Sequence, residues 1–361
     1  MLAKDPEERW QTIRELRHAL RWAVQEQPPP VVSGLVKRSW LPWAVAALAT
    51  LTAIGLASLW LTRPAAAPQA SQFAVEPPPG TGFNFLITAV AISPDGRYLV
   101  FRAASGGGTP SLWLRPLDSL TARVLPGTEG ADFPFWSPDG KSIGFFVADK
   151  LKRLDIVGGT PQVLCDGDGG PSAAAQGGTW NRDGVILFGD RRGLFRVPAS
   201  GGTPTLLIKT DPSRQEAGYG HPQFLPGGKS FLYFVQSNDA STQGVYAASL
   251  DRPQDRIPVL RTPVKAIYAA SMPGQLGRLL FLRERTLLAQ RFDAHKLRLE
   301  GDPAPLADDI AVLASLRAAA FWVSDTGLLV YRNGMALERV KLAWITREGI
   351  KLGDASVVSK N

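Results

Sequence analysis

Cysteine and histidine are scarce in this sequence. Its 361 residues include one cysteine, Cys165, and three histidines. A single cysteine excludes an internal disulfide framework and a cysteine-based zinc site, so the fold must be held by its core alone. His18, His221 and His295 lie far apart in the sequence, without the spacing of metal ligands, and we expect them to be surface or packing residues. The sequence therefore predicts neither a metal nor a cofactor.

Clustered positive charge and catalytic motifs are also missing. The net charge is +8, but lysine and arginine are scattered along the chain and form no stripe with interleaved aromatic residues. This pattern argues against a nucleic-acid partner. The chain has no Gly-x-Ser-x-Gly nucleophile motif and none of the phosphate-binding or metal-binding motifs that phosphoryl transfer requires. We expect no enzyme activity from this chain.

Glycine and proline are abundant, with 36 and 29 residues, which indicates many tight turns and many short strands. A turn motif recurs along the chain, and its glycines Gly96, Gly140, Gly184 and Gly228 are 44 residues apart. With two weaker copies there are six repeats: Ser93-Pro94-Asp95-Gly96, Ser137-Pro138-Asp139-Gly140, Asn181-Arg182-Asp183-Gly184, Leu225-Pro226-Gly227-Gly228, Met272-Pro273-Gly274 and Ser324-Asp325-Thr326-Gly327.

Each repeat has the pattern of four antiparallel strands, with a hairpin turn between the first and second strand. Four strands in every 40–50 residues are typical of a propeller blade. We therefore predict an all-β fold, a six-bladed β-propeller with four-stranded blades, over residues 73–361. The turn residues to which we assign a structural role are Asp95, Gly96, Asp139, Gly140, Asp183, Gly184 and Gly228.

The repeats resemble the TolB-like, WD-repeat-related propellers of bacterial envelope proteins, over most of residues 73–355. This resemblance implies an extracytoplasmic module that binds an unidentified ligand or an envelope protein.

A long apolar segment precedes the repeats. Residues 40–61 carry no charge, and as a helix they span ~33 Å, against a hydrocarbon core of ~30 Å. Trp40, Trp43 and Trp60 lie at its two ends, and Lys37 and Arg38 precede it. We predict a single-pass inner-membrane helix at residues 39–62, in contact with lipid. The N-terminus is then cytoplasmic, residues 63–72 form a linker, and the propeller is periplasmic.

Two features of this segment have alternative interpretations. A secretory signal peptide is the competing prediction, but the apolar run exceeds the usual 7–15 residues and a long helical segment precedes it. Ala49, Ala53 and Ala57 fall four residues apart on one helix face, a ridge that favours homodimerisation in a membrane. The same spacing arises by chance in an alanine-rich helix.

The first 26 residues predict an amphipathic helix. Thr12 and Glu15 form a capping box, and apolar residues follow at helical spacing. The run Leu2-Ala3-Lys4-Asp5-Pro6-Glu7-Glu8-Arg9-Trp10 resembles the end of the C-lobe of bacterial serine/threonine protein kinases. In that family the arginine that matches Arg9 pairs with the glutamate of the Ala-Pro-Glu motif. Residues 27–38, with three consecutive prolines, then form a juxtamembrane linker.

The order of these segments leads to two functional hypotheses. The first is a membrane-anchored extracytoplasmic sensor or protein-interaction propeller of a serine/threonine protein kinase, whose catalytic domain is not in this chain. The second is a stand-alone TolB-like envelope scaffold with a membrane anchor.

Overall fold

The computed structural model describes residues 41–61, 79–83, 90–105, 108–166, 175–271, 275–334, 342–345 and 351–355. The chain divides into two compact units, residues 1–74 and residues 75–361. The predicted kinase-like segment at residues 1–26, which includes Arg9, and the predicted linkers at residues 27–38 and 63–72 lie outside the described residues.

The N-terminal unit contains one described helix, α1, at Leu41–Leu61. Its 21 residues include no acidic residue in the first turn and no basic residue in the last. Large apolar side chains on this helix are exposed: Trp43, Val45, Leu48, Leu51, Ile54 and Leu56. Within the residues that the structure describes, no helix combines the length and the apolar character needed to cross a bilayer. The membrane crossing predicted at residues 39–62 is therefore not supported by the structure.

The second unit begins with five antiparallel sheets that follow one another along the chain. The first sheet has five strands, and its β1 and β2 pair with different parts of the same edge of β3. Its strands are β1 (Thr81–Phe83), β2 (Val90–Ile92), β3 (Tyr98–Ser105), β4 (Ser111–Pro116) and β5 (Arg123–Val124). The second sheet consists of β6 (Asp132–Trp136), β7 (Ser142–Val147), β8 (Lys150–Asp155) and β9 (Gln162–Cys165).

The next three sheets each have four strands in sequence order. The third contains β10 (Gly178–Trp180), β11 (Val185–Gly189), β12 (Gly193–Pro198) and β13 (Thr205–Lys209). The fourth contains β14 (Glu216–Phe224), β15 (Ser230–Ser237), β16 (Gly244–Ser249) and β17 (Ile257–Leu260). The fifth contains β18 (Ile267–Ala269), β19 (Gly277–Arg283), β20 (Thr286–Asp293) and β21 (Arg298–Ala307). The predicted all-β propeller with four-stranded blades is confirmed.

The predicted number of six blades is wrong, because the residues that the structure describes form five. Three two-stranded sheets follow the fifth blade: β22 (Val312–Leu313) with β23 (Ala318–Ala319), β24 (Phe321–Val323) with β25 (Leu329–Tyr331), and β26 (Leu342–Ile345) with β27 (Lys351–Ala355). The sixth turn motif, at Ser324, connects β24 and β25, which are only three residues long. The fifth blade uses more of the chain, since its β20 and β21 have 8 and 10 residues. A turn motif in the sequence therefore indicates a hairpin and not necessarily a complete blade.

Apolar side chains fill the space between each pair of neighbouring blades. Between the first and second blades, for example, Val100 and Leu112 pack with Ile143 and Phe145, and all four are fully buried. Equivalent clusters lie between the second and third, third and fourth, and fourth and fifth blades. Each blade thus buries both of its faces against neighbours, which explains strands with nearly continuous apolar runs.

The β24–β25 hairpin closes the ring. Phe321 packs in a cluster with residues of the fifth blade, and Trp322 packs against the buried cluster of the first blade that contains Phe101. The Asp325 N–H also donates a hydrogen bond to the Pro94 carbonyl, at 3.0 Å, which joins the last turn motif to the first. The hairpin therefore fills the gap between the fifth and first blades.

The repeated turns are held by hydrogen bonds from their first residue. Ser137 donates to the Asp139 carboxylate at 2.6 Å and accepts from the Ser142 N–H at 2.9 Å. In the third blade the Asn181 side chain takes over this role, accepting from the N–H groups of Asp183 and Val185 at 3.1 and 2.8 Å. Asn181 also donates to the Gly228 carbonyl of the next blade, at 2.8 Å. Asn181 therefore stabilises its own turn and connects it to the neighbouring blade.

We predict that Asn181→Ala lowers the free energy of unfolding by about 3 kcal/mol, because three hydrogen bonds of a buried side chain are lost together. Asp183→Ala is the matched control, since its carboxylate is exposed and accepts no hydrogen bond from any described residue. We expect that control to change stability by less than about 0.5 kcal/mol. Urea denaturation followed by tryptophan fluorescence measures both values, and equal effects of the two substitutions would contradict this assignment.

Candidate functional site

The inner strands of the blades begin around a cavity on the axis of the ring. Its volume is ≈ 200 Å³, and each blade and the β24–β25 hairpin contribute to its wall. Four of the lining residues, one each from the second to the fifth blade, are 44 residues apart in the sequence: Phe133, Gly177, His221 and Lys265. The inner strands run from these residues to the repeated turns.

The backbone is irregular at three of these four positions. Phe133 and His221 have φ angles of 48° and 49°, in the left-handed region, and Gly177 has a φ of 83°. The pairing register shifts at the same places in β6 and β14. Such bulges change the direction of a side chain relative to a regular strand, at a cost of about 1–3 kcal/mol for a non-glycine residue. The fold therefore holds Phe133 and His221 in a costly conformation.

Lys265 is a buried cation in the cavity wall. The residue is 6% exposed, and its backbone N–H donates to the Arg317 carbonyl at 3.0 Å. The ammonium lies 4.8 Å and 5.4 Å from the ring centroids of Trp322 and Phe321. No carboxylate pairs with it among the described residues. Burial lowers the pKa of Lys265 to about 7, although the two rings attract the charged form.

His221 lies beside Lys265 and is neutral near pH 7. Burial, together with the charge of Lys265, lowers the pKa of its imidazole to about 3. The backbone N–H of His221 donates to the Gln176 carbonyl at 2.6 Å, and the imidazole Nε2 lies 3.4 Å from the Leu316 carbonyl oxygen. The cavity therefore holds one titratable cation and one neutral imidazole.

Two other polar side chains of the wall are bonded within the fold. Gln223 donates to the Tyr268 carbonyl at 2.9 Å and accepts from the Tyr268 N–H at 2.7 Å, which connects the fourth and fifth blades. Thr179 accepts a hydrogen bond from the Phe224 N–H at 3.2 Å. These bonds fix the shape of the wall, and Lys265 and His221 are its ionisable groups among the described residues.

The residues singled out from the sequence lie elsewhere. The turn glycines Gly96, Gly140, Gly184 and Gly228 have φ angles of 74°, 68°, 75° and 70°, and they lie at the opposite end of the inner strands from the cavity. The hydrogen bond from Ser137 lowers the pKa of the Asp139 carboxyl. Asp95 makes the same contacts with Ser93 and the Arg97 N–H. In the helix α1, Ala49 and Ala53 are exposed, and the side chain of Ala57 is not described.

Sequence reasoning missed the cavity residues. His221 was expected to be a surface or packing residue, and Lys265 was not considered. The signal that finds them is the repeat itself, because Phe133, Gly177 and His221 each stand four positions before the first residue of a turn motif. A position that changes from blade to blade while its neighbours repeat is a candidate for function.

A buried carboxylate in the fourth blade is structural. Glu216 accepts hydrogen bonds from Arg256 and from the Tyr219 hydroxyl, and its carboxylate also lies 3.4 Å from the Arg214 guanidinium. Burial raises the pKa of Tyr219, and the bond to Glu216 raises it further. The Glu216 carboxylate is thus engaged by two guanidinium groups and a hydroxyl, which explains how the fold tolerates its burial.

A second cavity of ≈ 440 Å³ lies beside the turns of the second and third blades. Two of its charged side chains are bonded within the protein: Asp139 to Ser137, and Arg153 to Ser142 and Asp155. The described residues contain no cluster of side chains suited to hold a metal ion. The axial cavity is therefore the candidate site.

Comparisons with known proteins give partial matches, and no protein-family model matches the chain. A stretch of 155 residues is 31% identical to the uncharacterised peptidase YuxL of Bacillus subtilis and covers 41% of this chain and 22% of that protein. Another of 108 residues is 33% identical to an uncharacterised protein of Agrobacterium fabrum and covers 28% of this chain and 34% of that one. The matches thus span about a third or less of these relatives' length.

Solved structures with a similar fold include TolB from Acinetobacter baumannii, at 16% identity and a TM-score of 0.47, covering 61% of this chain and 54% of that one. A candidate TolB from Agrobacterium tumefaciens is 17% identical with a TM-score of 0.47, and the match covers 68% of this chain and 90% of that chain. These similarities concern the fold and assign no function.

We predict that the stability of the protein depends on pH through Lys265. Between about pH 7 and 10.5 the unfolded lysine binds more protons than the folded one, so its burial destabilises the fold less as the pH rises. Lys265→Met removes the buried amine and the destabilisation that its burial causes. In urea denaturation the variant should therefore gain most over wild type at pH 6.5, and this gain should shrink by about 2 kcal/mol between pH 7 and 9.

Lys209→Met, at an exposed position on β13, is the matched control and should show no such trend. A stability difference between Lys265→Met and wild type that stays constant with pH would contradict the buried cation.

Proposed function

We propose that this chain is a binding propeller whose ligand site is the axial cavity. The observation that supports this proposal is the pairing of the buried Lys265 with the partly buried His221, which line the cavity without an acidic partner among the described residues. Buried charges in stable proteins are normally paired. A buried cation without a carboxylate partner in a cavity wall therefore indicates a candidate functional site. A ligand or a protein segment that enters the cavity would supply the missing partner.

We favour binding over catalysis. The described part of the cavity wall holds no serine or cysteine nucleophile, and the sequence has no Gly-x-Ser-x-Gly motif. The peptidase YuxL matches this chain over 22% of its own length, and its name describes that whole protein. An accessory propeller of a peptidase is a second candidate that this match favours, and it too is a binding role.

For the cellular setting we propose the outer side of the inner membrane, with the chain attached through residues 39–62. The proposal rests on the charge-free sequence of α1 and on its exposed apolar side chains, which need a lipid or protein surface to cover them. The kinase-like pattern around Arg9 further supports a receptor-type serine/threonine kinase as the parent protein. A stand-alone TolB-like scaffold is equally consistent with the propeller, since both roles require only binding.

The two settings differ in their coding sequence. An in-frame kinase domain before codon 1 would support the receptor, whereas an in-frame stop codon there, with no kinase domain upstream, would support the scaffold.

Filling the cavity tests the binding role. We predict that Ile267→Phe, which adds volume to the cavity wall, abolishes capture of the ligands and proteins that the full chain retains from an envelope extract. Val163→Phe, at an exposed position of an outer strand, should leave capture unchanged. Circular dichroism melting confirms that both variants fold. Equal capture by wild type and by a folded Ile267→Phe variant would contradict a binding role for the cavity.

Membrane attachment is tested separately. We predict that the full chain, expressed in a bacterium, stays in carbonate-washed membranes and that the double substitution Leu51→Lys, Ile54→Lys releases it. A charge within the hydrocarbon costs about 2.5–3.5 kcal/mol per residue on insertion scales. The control is Val157→Lys with Val163→Lys, at exposed positions of the propeller. Recovery of the unmodified chain in the carbonate supernatant would contradict the proposed membrane attachment.

A further inference from the structure

We propose that the axial cavity binds a monocarboxylate with a compact apolar body, and that the Lys265 ammonium pairs with its carboxylate. This inference rests on the proposed binding function and names the class of ligand. Three properties of the cavity lead to it: its charge, its size and the composition of its wall.

The charge of the cavity selects an anion. Among the described residues that line it, Lys265 and His221 are the ionisable ones, and aspartate and glutamate are missing from the wall. A buried ammonium without a counter-ion pays a desolvation penalty, which a ligand carboxylate offsets by direct pairing. A cationic ligand would be repelled by the same group. The site therefore prefers an anion to a neutral or cationic molecule of equal shape.

The number of charges limits the ligand to one carboxylate. His221 is neutral near pH 7, so Lys265 supplies a single positive charge. A second carboxylate on the ligand would be buried among apolar side chains without a partner, which is strongly unfavourable. Monocarboxylates should therefore bind more tightly than dicarboxylates of similar size.

The size and the wall of the cavity define the rest of the ligand. Its volume of ≈ 200 Å³ compares with the ~150 Å³ of an engineered apolar cavity that binds benzene. Apolar residues from several blades form most of the wall: Ile92, Phe135, Ala266, Ile267, Trp322 and Val323. A phenyl or branched alkyl group fits this space beside the carboxylate.

Two sources offer this chemistry: a free organic acid and the C-terminus of a peptide that ends in an apolar residue. Phenylacetate and 4-methylpentanoate represent the first source. A tetrapeptide that ends in phenylalanine represents the second, and its C-terminal amide is the neutral control. The source that binds more tightly identifies the physiological class, and either result supports the proposal.

Isothermal titration calorimetry of the full chain tests the proposal. We expect phenylacetate or the peptide acid to bind, and phenylacetamide, 2-phenylethylamine and the peptide amide to bind at least about tenfold more weakly. Lys265→Met should weaken binding by about 30-fold or more, whereas Lys209→Met should leave it unchanged. Lys265→Gln serves as a second variant if Lys265→Met does not fold.

Proton uptake separates direct pairing from a structural role of Lys265. At pH 8 the free lysine is largely neutral, because burial lowers its pKa to about 7. Pairing with a carboxylate protonates it. The binding enthalpy measured in buffers of different ionisation enthalpy should therefore reveal an uptake approaching one proton per ligand, which disappears in Lys265→Met.

The outcomes are decisive. Equal affinity for acid and amide, unchanged binding by a folded Lys265 variant, or binding of neither carboxylate source would overturn the proposal. If the carboxylates fail while an envelope component still binds in a manner sensitive to Ile267→Phe, the carboxylate class is wrong and the binding function stands.

Discussion

Packing between neighbouring blades is the interaction on which the rest of this structure depends. Each sheet buries both faces, and the clusters between sheets form a continuous series that the β24–β25 hairpin completes. Two hydrogen-bonded strands are not stable alone in water, so this hairpin owes its structure to the blades on either side. The closed ring in turn brings the beginnings of the inner strands together around one axis, and the cavity is a consequence of that closure.

Close approach of the inner strands also depends on glycine at particular positions. The Phe135 ring lies over Gly144 of its own blade and Gly178 of the next, and a Cβ atom at either glycine would lie within 2.6 Å of that ring. Phe135 thereby joins the second and third blades and forms part of the cavity wall at the same time. Core packing and the shape of the site are determined by the same side chain.

The sequence predicts the regular features of the fold and misses what departs from the repeat. The spacing of Gly96, Gly140, Gly184 and Gly228 predicts blades, because a turn with positive φ leaves a recognisable residue. It does not predict that the sixth motif joins only two strands of three residues, since the turn residues do not determine the length of the strands on either side. It also points to Asp183 where Asn181 holds the turn, because both side chains can accept the same backbone hydrogen bonds.

The sequence does not reveal the candidate site, and the physical reason is a different one. Lys265 has the sequence environment of an ordinary surface lysine, Pro263-Val264-Lys265-Ala266, and only the closure of the ring removes it from water. A burial that lowers its pKa to about 7 costs stability that an alanine or methionine would not. The surrounding wall does not relieve that cost, since its described residues include no carboxylate and its Gln223 and Thr179 are bonded to the backbone of neighbouring strands. The fold therefore retains a cation without a carboxylate partner among the described residues at the point where the blades converge, and under our proposal a ligand carboxylate would offset its cost.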